Sequence, residues 1–233
     1  MINERADITG KKCSFCLCDT VPEILLIQPV DERGLEHIER QAAELEGRVK
    51  TPFLLAAFGV KDWNAELSPW KEPPVFGDEG FAGKAEETFA FLCEQFIPYI
   101  RNKYEVGEDV PMVIGGYSLA GLFSLWSVYK TDIFSACAAA SPSVWFPKWT
   151  EFVNTGKTET KCIYLSLGDR EEKTKNAIMS RVGDNIRSMA EMYKEGGKMF
   201  TLEWNEGNHF KDAGLRTAKA FAWCVNNIGG RLY

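Results

Sequence analysis

Residues 113–123 read Val-Ile-Gly-Gly-Tyr-Ser-Leu-Ala-Gly-Leu-Phe, and this stretch decides the fold. It begins as an apolar strand (110–114), passes through small residues around Ser118, and continues as an apolar helix (119–129). A tight turn from strand to helix that exposes a serine is a nucleophile elbow. The positions two before and two after the serine must be small in so crowded a turn, and here they are Gly116 and Ala120. The layout therefore predicts that Ser118 is a nucleophile above a parallel sheet.

The start of the following helix predicts where negative charge would be stabilised during acyl transfer. The backbone N–H of Leu119 comes directly after the nucleophile and at a helix N-terminus, which is half of an oxyanion hole. The other half is expected from the loop that follows the apolar strand 52–58. Val60 N–H is the preferred second donor, and Lys61 N–H is the alternative.

The chain has only two histidines that could serve as a base for Ser118. His37 lies in a charged amphipathic stretch (35–46) and is predicted to be a solvated helix residue. His209 lies between an alternating strand (200–205) and a C-terminal helix (212–227). Loops at the carboxyl ends of parallel strands gather the functional groups of an α/β sheet. His209 is therefore the predicted base, and a plain surface histidine is the alternative reading.

A carboxylate between these two residues in the chain would complete the order serine, acid, histidine. The apolar strand 161–167 ends in Gly-Asp-Arg-Glu-Glu (168–172), so Asp169, Glu171 and Glu172 are candidates. A carboxylate at this point could fix the imidazole tautomer and stabilise the imidazolium. Spacing alone does not choose among the three. Glu171 is preferred, Asp169 comes second, and charged loop residues are often merely solvated.

These motifs resemble the putative esterase family, which contains esterase D and the enterochelin (ferric siderophore) esterases. The likeness rests on the elbow, the 168–171 step, the Gly-Asn-His-Phe loop (207–210) and an aromatic, proline-bearing loop (58–70), and it extends over about residues 24–221. It implies an α/β-hydrolase fold and hydrolysis of carboxylic esters through an acyl-enzyme. In esterase D and siderophore members the acid lies a few residues past the penultimate core strand, as residues 168–172 do here. The resemblance transfers no substrate, and siderophore hydrolysis is one candidate.

Apolar runs alternate with helical patterns along the chain, which predicts a mostly parallel sheet covered by helices on both faces. The predicted strands are 14–18, 23–29, 52–58, 110–114, 135–140, 161–167 and 200–205. The predicted helices are 35–46, 83–103, 119–129, 173–195 and 212–227. Pro98 is expected to bend or tighten the last turn of the second helix. No long insertion follows residues 141–143, so residues 144–160 are expected to form only a minimal lid.

Composition limits the remaining possibilities. A chain of 233 residues with 45% hydrophobic content can form one large core, so a single domain over residues 1–233 is expected. The formal charge of −6 argues against nucleic acid or an anionic membrane as a partner. No apolar run reaches the roughly 20 residues that span a bilayer, and the N-terminus lacks a signal-like apolar core. A cytoplasmic location with seven free cysteines is expected.

No cofactor or metal is predicted. The pattern Cys13-x-x-Cys16-x-Cys18 lacks a second cluster of cysteine or histidine at ligand spacing, and alternation along a strand explains it better.

Large aromatic residues follow two of the predicted strands and could line an acyl or aryl pocket. They are Trp63, Trp70, Trp145 and Phe146. Packing of loops onto the sheet is at least as good an explanation for each of them singly.

The sequence thus favours a serine esterase with a small-molecule ester as its substrate. An acyltransferase that uses the same residues, or a catalytically idle binding protein of the same fold, is the alternative. Neither the ester nor the oligomeric state follows from the residues.

Overall fold

A computed structural model describes residues 1–18 and 20–228 of the chain. Within this part, eight strands form one sheet in the order β1-β2-β4-β3-β7-β8-β9-β10, and β5 and β6 form a separate hairpin. The strands are β1 (Ile2–Ile8), β2 (Lys11–Leu17), β3 (Ile24–Val30), β4 (Phe53–Gly59), β5 (Lys71–Glu72), β6 (Phe81–Ala82), β7 (Met112–Tyr117), β8 (Ala136–Ala140), β9 (Cys162–Gly168) and β10 (Met199–Asn205).

Helices connect most of these strands. They are α1 (Glu32–Glu46), α2 (Trp63–Glu66), α3 (Ala85–Phe91), α4 (Ile97–Lys103), α5 (Leu119–Ser127), α6 (Trp149–Thr155), α7 (Val182–Glu195) and α8 (Ala213–Asn227). A π-helical segment (Leu92–Phe96) joins α3 to α4, and a 3₁₀ turn (Met179–Arg181) precedes α7.

The sheet is parallel from β4 to β10, and β2 alone runs against its neighbours. Parallel neighbours need crossover connections, which place helices on both faces of the sheet. Helices α1 and α8 pack on one face, and α3, α4, α5 and α7 pack on the other, so each face has its own apolar core. This arrangement confirms the predicted α/β-hydrolase fold.

The centre of the sheet is built from small side chains. Strand β8 reads Ala-Cys-Ala-Ala-Ala, and all five residues are fully buried. Small side chains on both faces let α5 and α8 approach the sheet closely, since interiors pack without voids. Because parallel strands end at the same edge, the loops after β4, β7, β8, β9 and β10 meet there.

Three of the differences between the structure and the predicted elements have clear physical causes. Strand β1 was not predicted, because as the edge strand of the sheet it carries exposed polar residues and shows only a weak apolar pattern. The predicted helix 173–195 begins as an α-helix only at Val182. The predicted helix 83–103 contains the π-helical segment, which ends two residues before Pro98, a residue that has no N–H to continue the regular hydrogen bonds.

The cysteines of β2 do not form a metal cluster. Cys13 and Cys16 lie in the cores on opposite faces of the sheet. Burial raises the pKa of each of these two thiols to about 12, so both stay protonated at neutral pH. All seven cysteines, which the structure describes, are free thiols, as expected.

Candidate active site

Ser118 lies in the turn between β7 and α5, as the elbow pattern predicts. Its backbone has φ 60° and ψ −122°, a strained conformation for a residue with a side chain. The turn also explains Gly116, because a Cβ there would lie 2.6 Å from the Cβ of Ala120. A glycine is therefore required at 116 when 120 carries a methyl group. The strained turn lifts the serine hydroxyl out of the sheet and aims it at the loops beyond.

The imidazole of His209 reaches this hydroxyl from the loop after β10. His209 Nε2 lies 2.9 Å from Ser118 Oγ, which is hydrogen-bond distance. The histidine side chain is 26% exposed, so solvent reaches this side of the pair. A neutral imidazole in this position can accept the serine proton.

A carboxylate lies on the far side of the same imidazole. Glu171 Oε2 is 2.7 Å from His209 Nδ1. The other oxygen, Oε1, accepts hydrogen bonds from Gly168 N–H at 2.7 Å and Ser141 Oγ at 2.8 Å. Gly168 must be a glycine for this contact, because a Cβ would lie 2.9 Å from Oε1 and 2.4 Å from the Gly207 carbonyl. The carboxylate is thus buried, held and aimed at the imidazole.

The other two acids of the 168–172 segment make different contacts. Asp169 Oδ1 accepts a hydrogen bond from Gly207 N–H at 2.8 Å, so it fastens the loop that carries His209. Glu172 forms a paired interaction with the guanidinium of Arg187, at 3.0 and 2.9 Å. Glu171 is therefore the acid that contacts the imidazole, and the preference for it over Asp169 agrees with this geometry.

A buried arginine, which sequence reasoning missed, stands behind the carboxylate. Arg216 on α8 is 2% exposed and donates from Nη1 to Glu171 Oε1 at 3.0 Å. The same guanidinium donates to Tyr117 Oη at 3.1 Å and to the Glu206 carbonyl at 3.0 Å. Through its hydrogen bonds to Glu171 and Tyr117, Arg216 joins α8 to the carboxylate and to the elbow. An arginine in an amphipathic helix gives no sequence signal that it is buried, so only the fold identifies it.

Tyr117 ties the histidine loop to the elbow. Its hydroxyl donates to the His209 carbonyl at 2.7 Å, and its ring centroid lies 5.2 Å from that of the imidazole. Burial raises the pKa of Tyr117, so the hydroxyl remains a donor at neutral and mildly alkaline pH. Ser143, also not predicted, places its Oγ 3.3 Å from Ser118 Oγ.

Replacing Arg216 by methionine is expected to lower kcat by about 10²-fold with little change in KM. The side chain touches Glu171 and not the substrate, so its loss misplaces the carboxylate and imidazole without removing a substrate contact. Rates should be normalised to the active sites that a fluorophosphonate titrates, because a folding defect would lower that number instead. Arg216→Lys should recover part of kcat, since lysine keeps the positive charge but lacks the planar guanidinium that donates to several acceptors at once. An unchanged kcat per titrated site would contradict the positioning role.

The two predicted oxyanion donors differ in whether their N–H groups already have a partner. The N–H of Leu119 opens α5 and has no hydrogen-bond partner among residues 1–18 and 20–228. Val60 N–H donates to the Val30 carbonyl at 2.8 Å, so the prediction for Val60 is wrong in this structure. Lys61 N–H, the alternative, donates to Glu66 Oε1 at 2.8 Å. A bond to the end of β3 occupies Val60 N–H and a bond within the loop occupies Lys61 N–H, and spacing along the chain cannot reveal either bond.

The predicted aromatic residues separate into two groups. Trp63 opens α2 and lines a cavity beside the elbow. Trp70 packs against Phe146 and donates its indole N–H to the Pro147 carbonyl at 3.0 Å. Trp145 is 7% exposed and packs against Phe76 and Phe81. Trp70 and Trp145 therefore serve mainly to pack loops together, and a contact with substrate stays a prediction for them.

Helix α6 occupies the predicted minimal lid, within residues 144–160. Among the residues that the structure describes, no helix is long and apolar enough to cross a membrane. The same part of the chain contains no group of three or more histidine, cysteine, aspartate or glutamate side chains arranged to hold a metal ion.

Comparison with solved structures supports the fold. An IroE-like serine hydrolase from Shewanella oneidensis aligns with a TM-score of 0.77 at 14% identity, over 98% of this chain and 80% of that one. The siderophore hydrolase EstA from Aspergillus nidulans aligns with a TM-score of 0.72 at 18% identity, over 97% and 94%. The enterobactin esterase FES from Shigella flexneri aligns with a TM-score of 0.63 at 16% identity, over 95% of this chain and 59% of that one.

Comparison by sequence identifies the family. No curated protein matches the chain. The model of the family described as "Putative esterase" matches residues 45–211, which is well over half of the chain and includes Ser118, Glu171 and His209. The resemblance seen in the motifs is thereby confirmed. The chain belongs to the putative esterase family and is a serine esterase with the α/β-hydrolase fold.

Proposed function

We propose that the protein hydrolyses carboxylic esters in two steps, through an acyl-enzyme on Ser118. One observation carries the proposal: Ser118 Oγ, the imidazole of His209 and the carboxylate of Glu171 form one continuous series, with contacts of 2.9 and 2.7 Å. A hydroxyl, a base and a carboxylate in this order are the parts of a Ser-His-acid triad. The family match supports an ester as the bond that is cleaved.

In the first step, Ser118 Oγ attacks the ester carbonyl while His209 Nε2 takes the hydroxyl proton. The carbonyl oxygen becomes an oxyanion, and the N–H of Leu119 at the start of α5 donates to it. Glu171 accepts the Nδ1–H of the imidazolium and so stabilises its charge. The imidazolium then gives its proton to the leaving alcohol as the C–O bond breaks, which leaves the acyl group on Ser118.

In the second step, water replaces the alcohol. His209 removes a proton from water, the hydroxide attacks the acyl carbonyl, and the imidazolium returns the proton to Ser118 Oγ as the acid leaves. The partial exposure of His209 supports access of water to this step. No cofactor takes part in the proposed cycle.

The substrate is proposed only as a class, a small-molecule ester. Two structural relatives are named as a siderophore hydrolase and an enterobactin esterase, so a siderophore ester belongs in any substrate panel. The fold likeness does not select it, because these relatives are under 20% identical to the chain.

The test combines labelling with turnover. Wild-type protein should hydrolyse p-nitrophenyl butyrate and should be labelled by a fluorophosphonate on the peptide that contains Ser118. Ser143→Ala is the matched control, because Ser143 Oγ lies 3.3 Å from the nucleophile and is the serine hydroxyl in hydrogen-bond contact with it. We expect Ser143→Ala to keep the label and Ser118→Ala to lose it. Labelling that persists in Ser118→Ala would overturn the proposal.

The same assay separates the alternative activities. If added alcohols receive the acyl group faster than water does, the protein is an acyltransferase that uses the same residues. If wild-type protein is neither labelled nor active on any ester of the panel, the site is idle and the proposed function fails.

A further inference from the structure

A cavity of about 510 Å³ opens beside the elbow, and the proposed acyl transfer does not use it. It lies where α1 and α8 begin, at the carboxyl end of β3. Its wall includes Tyr117, which directly precedes the nucleophile, and Trp63 from the loop after β4. Tyr117 also contacts the imidazole of His209, so the same side chain lines this cavity and touches one of the reacting groups. A substrate held at Ser118 could therefore extend into it.

Two arginines line the cavity without a partner. Arg33 and Arg40 are two turns apart on the same face of α1, with His37 between them. Neither guanidinium makes a hydrogen bond, an ion pair or an aromatic contact with any residue in 1–18 or 20–228. A guanidinium presents five donors in a planar fork that fits a carboxylate. These donors are free to meet a ligand.

Three acidic residues also line the cavity, and other groups engage two of them. Asp31 accepts the N–H of Gly34 at 2.6 Å and caps α1, and Glu44 pairs with Arg48 at 3.4 Å. Asp212 is the third acid in the wall, and no partner is found for its side chain in the described part of the chain. Asp31 and Glu44 keep their negative charge but are engaged by Gly34 N–H and by Arg48, so the groups without a partner in the described part of the wall are two guanidinium groups and one carboxylate.

The N-terminus of α8 adds partial positive charge to the cavity wall. Asp212 precedes this helix but its side chain makes no capping hydrogen bond, so the first N–H groups of α8 stay open toward the cavity. Unpaired N–H groups at the start of a 15-residue helix favour an anion nearby. Gly214 in this turn leaves room as well, because a Cβ there would meet no atom within 4 Å.

We propose that this cavity binds a carboxylate carried by the ester substrate, with Arg33 and Arg40 as its cationic partners. The inference rests on the proposed ester hydrolysis for its role, and it narrows the substrate to anionic esters. A carboxylate on the acyl part and one on the alcohol part offer the same chemistry to the two arginines, so the experiment treats them separately.

The first measurement compares matched esters on wild type and on Arg33→Gln/Arg40→Gln. For the acyl part, mono-p-nitrophenyl glutarate is compared with neutral p-nitrophenyl butyrate. For the alcohol part, 4-acetoxybenzoate is compared with neutral 4-acetoxybenzamide. We expect the double variant to lose about tenfold or more in kcat/KM for the anionic member of one pair, through KM, while the neutral member keeps its rate. The pair that responds identifies the side of the ester that carries the charge.

Two control variants sharpen this result. Arg5→Gln/Arg181→Gln removes two guanidinium groups away from the cavity, and it should leave all four rates unchanged. Gly214→Leu adds bulk at a position where a Cβ would meet no atom within 4 Å, and it should weaken binding of the anionic ester in the same pair. Equal losses for the anionic and neutral members, or no loss in either, would overturn the inference.

A binding measurement tests carboxylate binding in the cavity independently of ester hydrolysis. Monomethyl glutarate and 4-acetoxybenzoate are titrated calorimetrically into Ser118→Ala, with and without the Arg33→Gln/Arg40→Gln pair. Binding that weakens about tenfold in the presence of the arginine substitutions supports the cavity even if no ester is turned over. If neither ligand binds, or if the arginine substitutions leave the affinity for both ligands unchanged, the inference is overturned. Hydrolysis that survives in Ser118→Ala would instead overturn the proposed function and leave the binding result standing.

Discussion

Replacing His209 by alanine is expected to lower kcat for p-nitrophenyl butyrate by about 10⁵-fold or more. Without the imidazole at 2.9 Å, nothing in the site takes the proton of Ser118 Oγ, and an un-ionised alcohol is a weak nucleophile. The chain offers no substitute, because its only other histidine, His37, is exposed on α1. Release of p-nitrophenol under saturating substrate measures the effect directly.

The double variant Ser118→Ala/His209→Ala supplies the control for this prediction. Groups that act as one unit are not additive, so the double variant should be no slower than either single variant. Thermal unfolding of the three variants should stay close to wild type, which separates lost chemistry from lost fold. A His209→Ala variant that keeps more than about a tenth of the wild-type kcat would contradict the proposed role of the imidazole.

Glu171→Gln is expected to cost about 10⁴-fold in kcat. The substitution keeps the size of the side chain, but an amide nitrogen facing His209 Nδ1 would favour the wrong imidazole tautomer. It also removes the negative charge that stabilises the imidazolium and that Arg216 faces at 3.0 Å. The Glu171 side chain is only 4% exposed, so water cannot readily replace these interactions.

Asp169→Asn is the matched control, since it makes the same chemical change two residues away. Asp169 accepts one hydrogen bond, from Gly207 N–H, and an asparagine oxygen can accept the same bond. We therefore expect a loss of about tenfold or less, which parallel measurement of kcat on both variants would show. A larger loss in Asp169→Asn than in Glu171→Gln would assign the acid of the triad to Asp169 instead.

Features that depend only on residues close together in the chain could be predicted from the sequence pattern. The elbow needs a strand, small residues around Ser118 and a helix, all within residues 110–129, so the sequence shows the whole motif. The scarcity of histidine made His209 the natural base. The narrow choice among Asp169, Glu171 and Glu172 followed from the end of one apolar strand. Family membership and fold class, both now shown, came from these same motifs.

The edges of elements and the loop contacts were less predictable. Strand β1 carries polar side chains because it is an exposed edge, so its alternation is nearly invisible. Val60, the preferred second oxyanion donor, has its N–H in a bond to Val30, a residue on the neighbouring strand β3. Hydrogen bonds of this kind depend on the register between neighbouring strands, and the sequence does not show that register.

The residue order was enough to single out the candidate reactive groups: one serine in an elbow, one histidine in a suitable loop, and a short run of acids between them. The folded chain was needed to show which acid meets the imidazole, that Arg216 is buried behind that acid, and that Arg33 and Arg40 line a cavity. The reason is physical. A reactive side chain is recognised by its type and its local backbone, whereas burial, pairing and open space are properties of distant segments that meet only when the parallel strands bring their ends to one edge.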